Sequence, residues 1–223
     1  MASDWPTLPL RTGLVAAIWT GNSLAYYGLS SALGLTNGYQ QRPILFAALN
    51  GAFALGVALV FRGSRARWER VAPKAEAWPK VLVFAGALAF VFLGLPALPA
   101  INWQTDAVMP TLMAATAPYF LPKTLEIWFQ QILIVTLIMG FWQHGLPLRK
   151  MAILLGAMFG GFHLTLVLNG NDPFYIARYT VAATLMASVM PWLILRVRSG
   201  YTWAFGIHWA FYAVDKTLSH FAG

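Results

Sequence analysis

The chain reads as an all-α, polytopic integral membrane bundle of about seven transmembrane helices, with eight as the alternative. Three observations carry that reading. Of its 223 residues, 59% are apolar and 10% charged, whereas soluble domains carry about a quarter charged residues. Mostly apolar runs of the roughly 18 or more residues that cross hydrocarbon recur along the whole length. The basic residues gather between those runs, as in loops that stay on the cytoplasmic side. One transmembrane domain over residues 1–223 follows, with no room for a soluble one.

Taken in order, the spanning helices are predicted near 12–33, 43–61, 81–101, 124–144, 150–169, 174–195 and 200–220. The first run contains Thr20, Asn22, Ser23, Tyr26 and Tyr27, which suits a packed spanning helix better than a signal core. Between the second and third lies a basic loop, 62–80, with Arg62, Arg65, Arg67, Arg70, Lys74 and Lys80. It is expected to be cytoplasmic. Residues 102–123 carry Asp106, Pro110, Pro118 and Pro122 and read as a surface or re-entrant piece, because proline breaks a helix interior. The positive residues choose between seven and eight. With seven spans, Arg149 and Lys150, then Arg196 and Arg198, also fall on the cytoplasmic side, and Asn169-Gly170-Asn171-Asp172 falls outside. An eighth span through 102–123 would put both later basic pairs outside. The N-terminus is then cytoplasmic and the C-terminus external. Trp5, Trp68, Trp78, Trp103 and Trp192 lie at segment ends, where aromatic anchors belong.

The formal net charge is +8, but its distribution between apolar segments points to a membrane surface and not to nucleic acid. With no cysteine, disulfides, thiolate metal sites and a cysteine nucleophile are excluded.

Ionisable groups are expensive in hydrocarbon, so those inside spans are functional candidates. On the fourth helix Glu126 and Gln130 are four apart and share a face. On the fifth, Gly156, Gly160 and His163 lie on one face, where small residues admit a neighbouring backbone or a flat ligand. On the last, His208, Tyr212 and Asp215 follow i, i+4, i+7 spacing. Each also has a plainer reading. Glu126 near a helix start can reach water, either histidine can be a hydrogen-bonded core group, and Asp215 beside Lys216 reads as solvated at a membrane edge. His144 and His220 are expected at the interface. Arg178 either snorkels outward or pairs with Glu126.

The order of these elements resembles the CPBP family, the CAAX-protease and bacteriocin-processing membrane proteins that include the type II prenyl-protein endopeptidases. Phe159-x-x-x-His163 matches the family's second motif. Leu125-Glu126-Ile127-Trp128-Phe129-Gln130 lines up with its first, and the stretch from Leu195 to His208 resembles the approach to its third. The likeness covers roughly 110–220, with 124–220 as the motif region. Three positions depart from the pattern: Leu125 stands for the first glutamate, Gln130 for the arginine and Tyr212 for the asparagine. In an active member the resemblance implies that the first glutamate and the Phe-x-x-x-His histidine activate water. The second histidine and the asparagine stabilise the oxyanion. General-base catalysis is worth typically 10²–10⁴-fold and an oxyanion donor roughly 10²–10³-fold, so losing both leaves little rate.

Three functions are therefore expected from this chain. The first is a degenerate, non-catalytic accessory, structural or assembly subunit bound to other integral membrane proteins. The second is an active intramembrane endopeptidase with Glu126, His163 and His208 as catalytic residues, and Phe159, Gly160, Gln130, Tyr212 and Asp215 lining the site. The third is a pigment or haem carrier with a glycine-flanked axial histidine. No cofactor or metal is required, although zinc on Glu126, His163 and His208 or a tetrapyrrole stays open. Membrane lipids are the other expected partners, in a bacterial inner (cytoplasmic) membrane.

Overall fold

The computed structural model describes residues 7–100 and 115–221, and every regular element in them is helical. Trp5, Trp103, Asp106 and Pro110 lie outside the described residues. The helices are α1 (Leu8–Ala32), α2 (Gly38–Gln41), α3 (Pro43–Val60), α4 (Arg62–Val71) and α5 (Ala77–Ala89). A π turn over Phe90–Gly94 then leads into α6 (Leu95–Ala97). The remainder are α7 (Phe120–Gln143), α8 (Leu148–Leu164), α9 (Pro173–Arg196) and α10 (Gly200–Phe221).

Five stretches are long and apolar enough to cross a membrane: Pro43–Val60, Ala77–Ala97, Ala117–Gln143, Leu148–Leu168 and Pro173–Arg196. With 25 and 22 residues, α1 and α10 have the length to cross. Their composition is less apolar: α1 carries Arg11 and Asn22, and α10 carries His208, Asp215, Lys216 and His220.

Two sequence expectations change. The fourth long helix begins at Phe120, preceded by a 3₁₀ turn over Ala117–Tyr119, and not at 124. Pro122 falls in its first turn, where a helix N–H has no intrahelical acceptor to lose. Within the basic loop 62–80, residues 62–71 are themselves helical, because Ser64 N–H and Arg65 N–H both donate to the carbonyl of Phe61, which caps α3. Other ends follow the local chemistry. Asp172 caps α9 by accepting from Phe174 N (2.8 Å) and Tyr175 N (3.2 Å), with Pro173 at the first helical position, where its fixed φ suits the helix. The π turn sits just before Pro96, which has no N–H for the carbonyl four residues back.

The chain forms two compact units, 1–71 with 118–147 and 72–117 with 148–223. In the first, α7 is buried along most of its length and packs with α1, α3 and α4. At its far end, Gly140 admits the Arg11 side chain, which a Cβ would meet at 3.1 Å. Arg11 Nη1 then donates to Gln143 Oε1 at 3.1 Å. In the second unit α8 packs along α9, and α10 packs with α5 and α9. Ser199, at φ 53°, accepts Glu76 N–H at 2.8 Å. Arg198 pairs with Glu76 at 3.0 Å, so the entries of α5 and α10 are joined. Large apolar side chains such as Leu82, Leu88, Phe92 and Leu93 are exposed on α5 and the turn after it, as suits a surface in contact with hydrocarbon.

Candidate functional sites

The first unit carries a polar cluster on the first half of α7. Lys123, Glu126 and Gln130 recur at spacings of three and four and so share a face. Glu126 Oε2 accepts from Lys123 Nζ and from the Tyr39 hydroxyl at 2.9 Å. Its Oε1 accepts from Gln130 Nε2 at 3.0 Å. The network extends inward. Asn50 Nδ2 donates to the Tyr39 oxygen at 2.9 Å and to the Pro122 carbonyl at 3.2 Å, and Asn22 Nδ2 donates to Asn50 Oδ1 at 3.1 Å. The Lys123 ammonium lies over the rings of Tyr39 and Tyr119, 5.1 and 5.7 Å from their centroids. Burial, and after it the Glu126 carboxylate, push the Tyr39 phenol well above its usual range. Tyr39 therefore remains a donor at neutral pH.

Glu126 keeps some exposure, with 16% of its side chain accessible, and is also the centre of this network. Because α7 begins at Phe120, Glu126 sits in its second turn with three donors on its two oxygens.

The second unit gathers a larger cluster from three helices, and Tyr179 of α9 is its hub. The Tyr179 hydroxyl donates to Asp215 Oδ2 at 2.7 Å. Lys216 Nζ donates to the same carboxylate oxygen at 2.7 Å and to the Tyr179 oxygen at 3.3 Å. Arg178 Nη2 lies 3.0 Å from Asp215 Oδ1, an ion-pair distance without the alignment of a hydrogen bond. The Arg178 guanidinium also lies over Phe174, Tyr175 and Tyr179. Asp215 is therefore not solvated: it is 3% exposed and Lys216 0%. A buried carboxylate needs charge partners and hydrogen bonds, and α9 supplies them from Tyr179 and Arg178. Arg178 pairs with Asp215, a partner that its sequence position did not suggest.

The two motif histidines belong to this cluster. His163 stacks on Tyr179 with centroids 6.3 Å apart, and His208 stacks on Tyr212 at 5.6 Å. Tyr179 and Tyr212 in turn lie 6.2 Å apart. His163 Nδ1 is 2.8 Å from the Phe159 carbonyl, so the four-residue spacing of Phe159-x-x-x-His163 is that of a ring bonded back along its own helix. A carbonyl only accepts, so Nδ1 carries the proton and neutral His163 keeps its lone pair on Nε2. His220, at the end of α10, is buried, with Nδ1 2.8 Å from the Pro99 carbonyl. His144 is exposed at the end of α7, bonded to the Gly140 carbonyl.

Gly160 serves helix packing. A Cβ there would collide with the Thr184 hydroxyl of α9 and come within 3.5 Å of the Thr180 carbonyl. The face expected to admit a backbone or a flat ligand is filled by α9.

Gln130 is thus joined to Glu126 in the first unit, while His163, His208, Tyr212 and Asp215 converge around Tyr179 in the second. Lys123, Tyr39, Asn50, Tyr175 and Tyr179 are the members that sequence reasoning missed, and Lys216 is one it placed in solvent. Tyr175, Arg178 and Tyr179 at i, i+3, i+4 were the available signal, one helix face of aromatic and cation. Among the described residues no three histidine, aspartate or glutamate side chains stand together as a metal site requires. Compared with protein-family models, with curated proteins and with solved structures, the chain gives no match.

Proposed function

We propose that this is a non-catalytic integral membrane subunit, built on a CPBP-like helical plan and retained to pack against other membrane proteins. The carrying observation is Glu126: its two oxygens take three donors, Lys123, Tyr39 and Gln130. A general base has to be within reach of the water it activates. Here the carboxylate is committed to holding α2, α3 and α7 together. The motif departures at Leu125, Gln130 and Tyr212 argue the same way, and Gln130 is itself spent on Glu126. The exposed apolar side chains of α5 are suited to lipid or to a neighbouring membrane helix.

The membrane arrangement belongs to the same reading: seven spans, with α1 and α10 added to the five strongly apolar stretches, in a bacterial inner membrane, N-terminus cytoplasmic. The Arg11–Gln143 hydrogen bond supports the odd number. It puts the start of α1 and the end of α7 at one face, as three crossings by α1, α3 and α5 followed by α7 require. A further crossing by 102–123 would send those two ends to opposite faces.

One observation favours endopeptidase activity as the second reading. His163 has Nδ1 fixed on the Phe159 carbonyl at 2.8 Å, which orients the ring of the motif histidine. The test is to isolate the protein from its native membrane in mild detergent, as wild type and as His163→Ala, and identify by mass spectrometry what accompanies it. A stoichiometric membrane-protein partner held by both forms supports the subunit. A peptide trapped only by His163→Ala overturns it in favour of the endopeptidase.

A further inference from the structure

Helix α4 joins two of the strongly apolar stretches, following Pro43–Val60 and preceding Ala77–Ala97, so in a membrane it lies at the surface. Its ten residues include Arg62, Arg65, Arg67 and Arg70 against Glu69 alone. Four positive charges less one negative leave +3. The helix has two faces. Phe61 before it and Ser64 within it are buried, while Arg62, Arg65, Glu69 and Arg70 are exposed. Trp68, four residues after Ser64, shares the inner face and is half-buried there.

Helix α4 holds one carboxylate, Glu69, for its four arginines. It packs on α7, and Arg67 is close enough to Arg11 for the two charges to repel. Glu69 is bonded to Arg65 at 2.9 Å, an exposed pair. An exposed i, i+4 pair of this kind is weak and readily exchanged for another anion.

We infer that α4 is a binding face for the phosphate headgroups of anionic lipids. Guanidinium groups match phosphate oxygens in a two-point geometry that ammonium groups lack, and all four cations of α4 are arginines. The anionic leaflet also supplies phosphates at the depth where α4 lies, and basic juxtamembrane segments are drawn to it. An acidic protein segment would satisfy the charge without accounting for the position of α4 at the end of a span. The inference goes beyond the subunit reading and needs only the membrane placement, so it holds or fails whether or not a partner or a catalytic activity exists.

The test uses the full chain in mild detergent, titrated with phosphatidylglycerol and separately with phosphatidylcholine. Thermal unfolding and the lipid retained in native mass spectrometry are the readouts. Phosphatidylglycerol is expected to raise the unfolding midpoint and to stay bound, in a salt-dependent manner. Arg62→Gln/Arg65→Gln/Arg70→Gln should weaken its retention on the order of a hundredfold at low ionic strength. The corresponding lysine triple variant should keep part of the preference, and Arg149→Gln/Lys150→Gln should keep all of it. Equal retention of both lipids overturns the proposal, as does a preference undiminished in the glutamine variant. Stabilisation matched by inorganic phosphate, or an acidic protein held through these arginines without any lipid preference, overturns it equally.

Discussion

The hydroxyl of Tyr179 donates to the Asp215 carboxylate at 2.7 Å, across 36 residues of sequence and between two helices. That bond joins α9 to α10 at a buried charge, and the rings of His163 and Tyr212 are arranged around the same tyrosine. Hydrogen bonds to charged groups contribute roughly 1.5–3 kcal/mol. Tyr179→Phe keeps the ring stack and removes only the donor. It should lower stability by about that amount, read as a drop in the thermal midpoint in detergent. An unchanged midpoint would mean that Lys216 and Arg178 hold Asp215 without it.

Charge arithmetic in the same cluster ranks two further variants. Lys216→Met leaves the Arg178–Asp215 pair. Asp215→Asn leaves two cations beside each other in a buried setting, where removing one partner of an ion pair costs about 3–5 kcal/mol. Asp215→Asn is therefore expected to be the more destabilising, with the larger loss of folded protein extracted from membranes. The reverse order would show that the lysine is the member that needs compensation least.

In the first unit, Lys123 and Glu126 form a pair with little exposure, flanked by tyrosines. Lys123→Met and Glu126→Gln should each destabilise, while the double variant should recover a large part of the loss, since neither then leaves a buried charge alone. Thermal midpoints of the four proteins close the cycle. Additive losses would place the two residues in separate roles. For function, the subunit reading expects Glu126→Gln to retain whatever partner co-purifies with the wild type.

What could be read from sequence follows from how each feature is encoded. Long apolar runs announce their helices locally, and the i, i+4 face of Glu126 and Gln130 is realised as a hydrogen bond. Lys123 went unread for a local reason: Pro122 suggested a break, so the helix was started one residue too late to include its partner lysine. In the first turn proline removes nothing, and the true start places Lys123 three residues before Glu126. Asp215 and Lys216 read as a solvated pair because two adjacent charges near the end of a span suit a membrane edge. Their burial depends on Tyr179 and Arg178, whose approach is set by packing of α8, α9 and α10 and leaves no mark at short range. Gly160 was legible as a close-approach position, but not as one filled by Thr184.

The absence of cysteine makes the membrane arrangement directly testable, because any introduced thiol is the only one. Ala66 in α4, Lys150 at the start of α8 and Leu168 beyond its end are all exposed. With seven spans, Ala66→Cys and Lys150→Cys share the cytoplasmic face and Leu168→Cys lies opposite. A membrane-impermeant thiol reagent added to intact cells should then label Leu168→Cys alone, and all three after the membrane is opened. If residues 102–123 cross, α7 and α8 reverse: Lys150→Cys becomes the labelled site and Leu168→Cys is protected. The Arg11–Gln143 bond argues for the first pattern, since it requires the start of α1 and the end of α7 to meet on one side. Labelling of Lys150→Cys with Ala66→Cys protected would make that bond incompatible with the membrane-embedded protein.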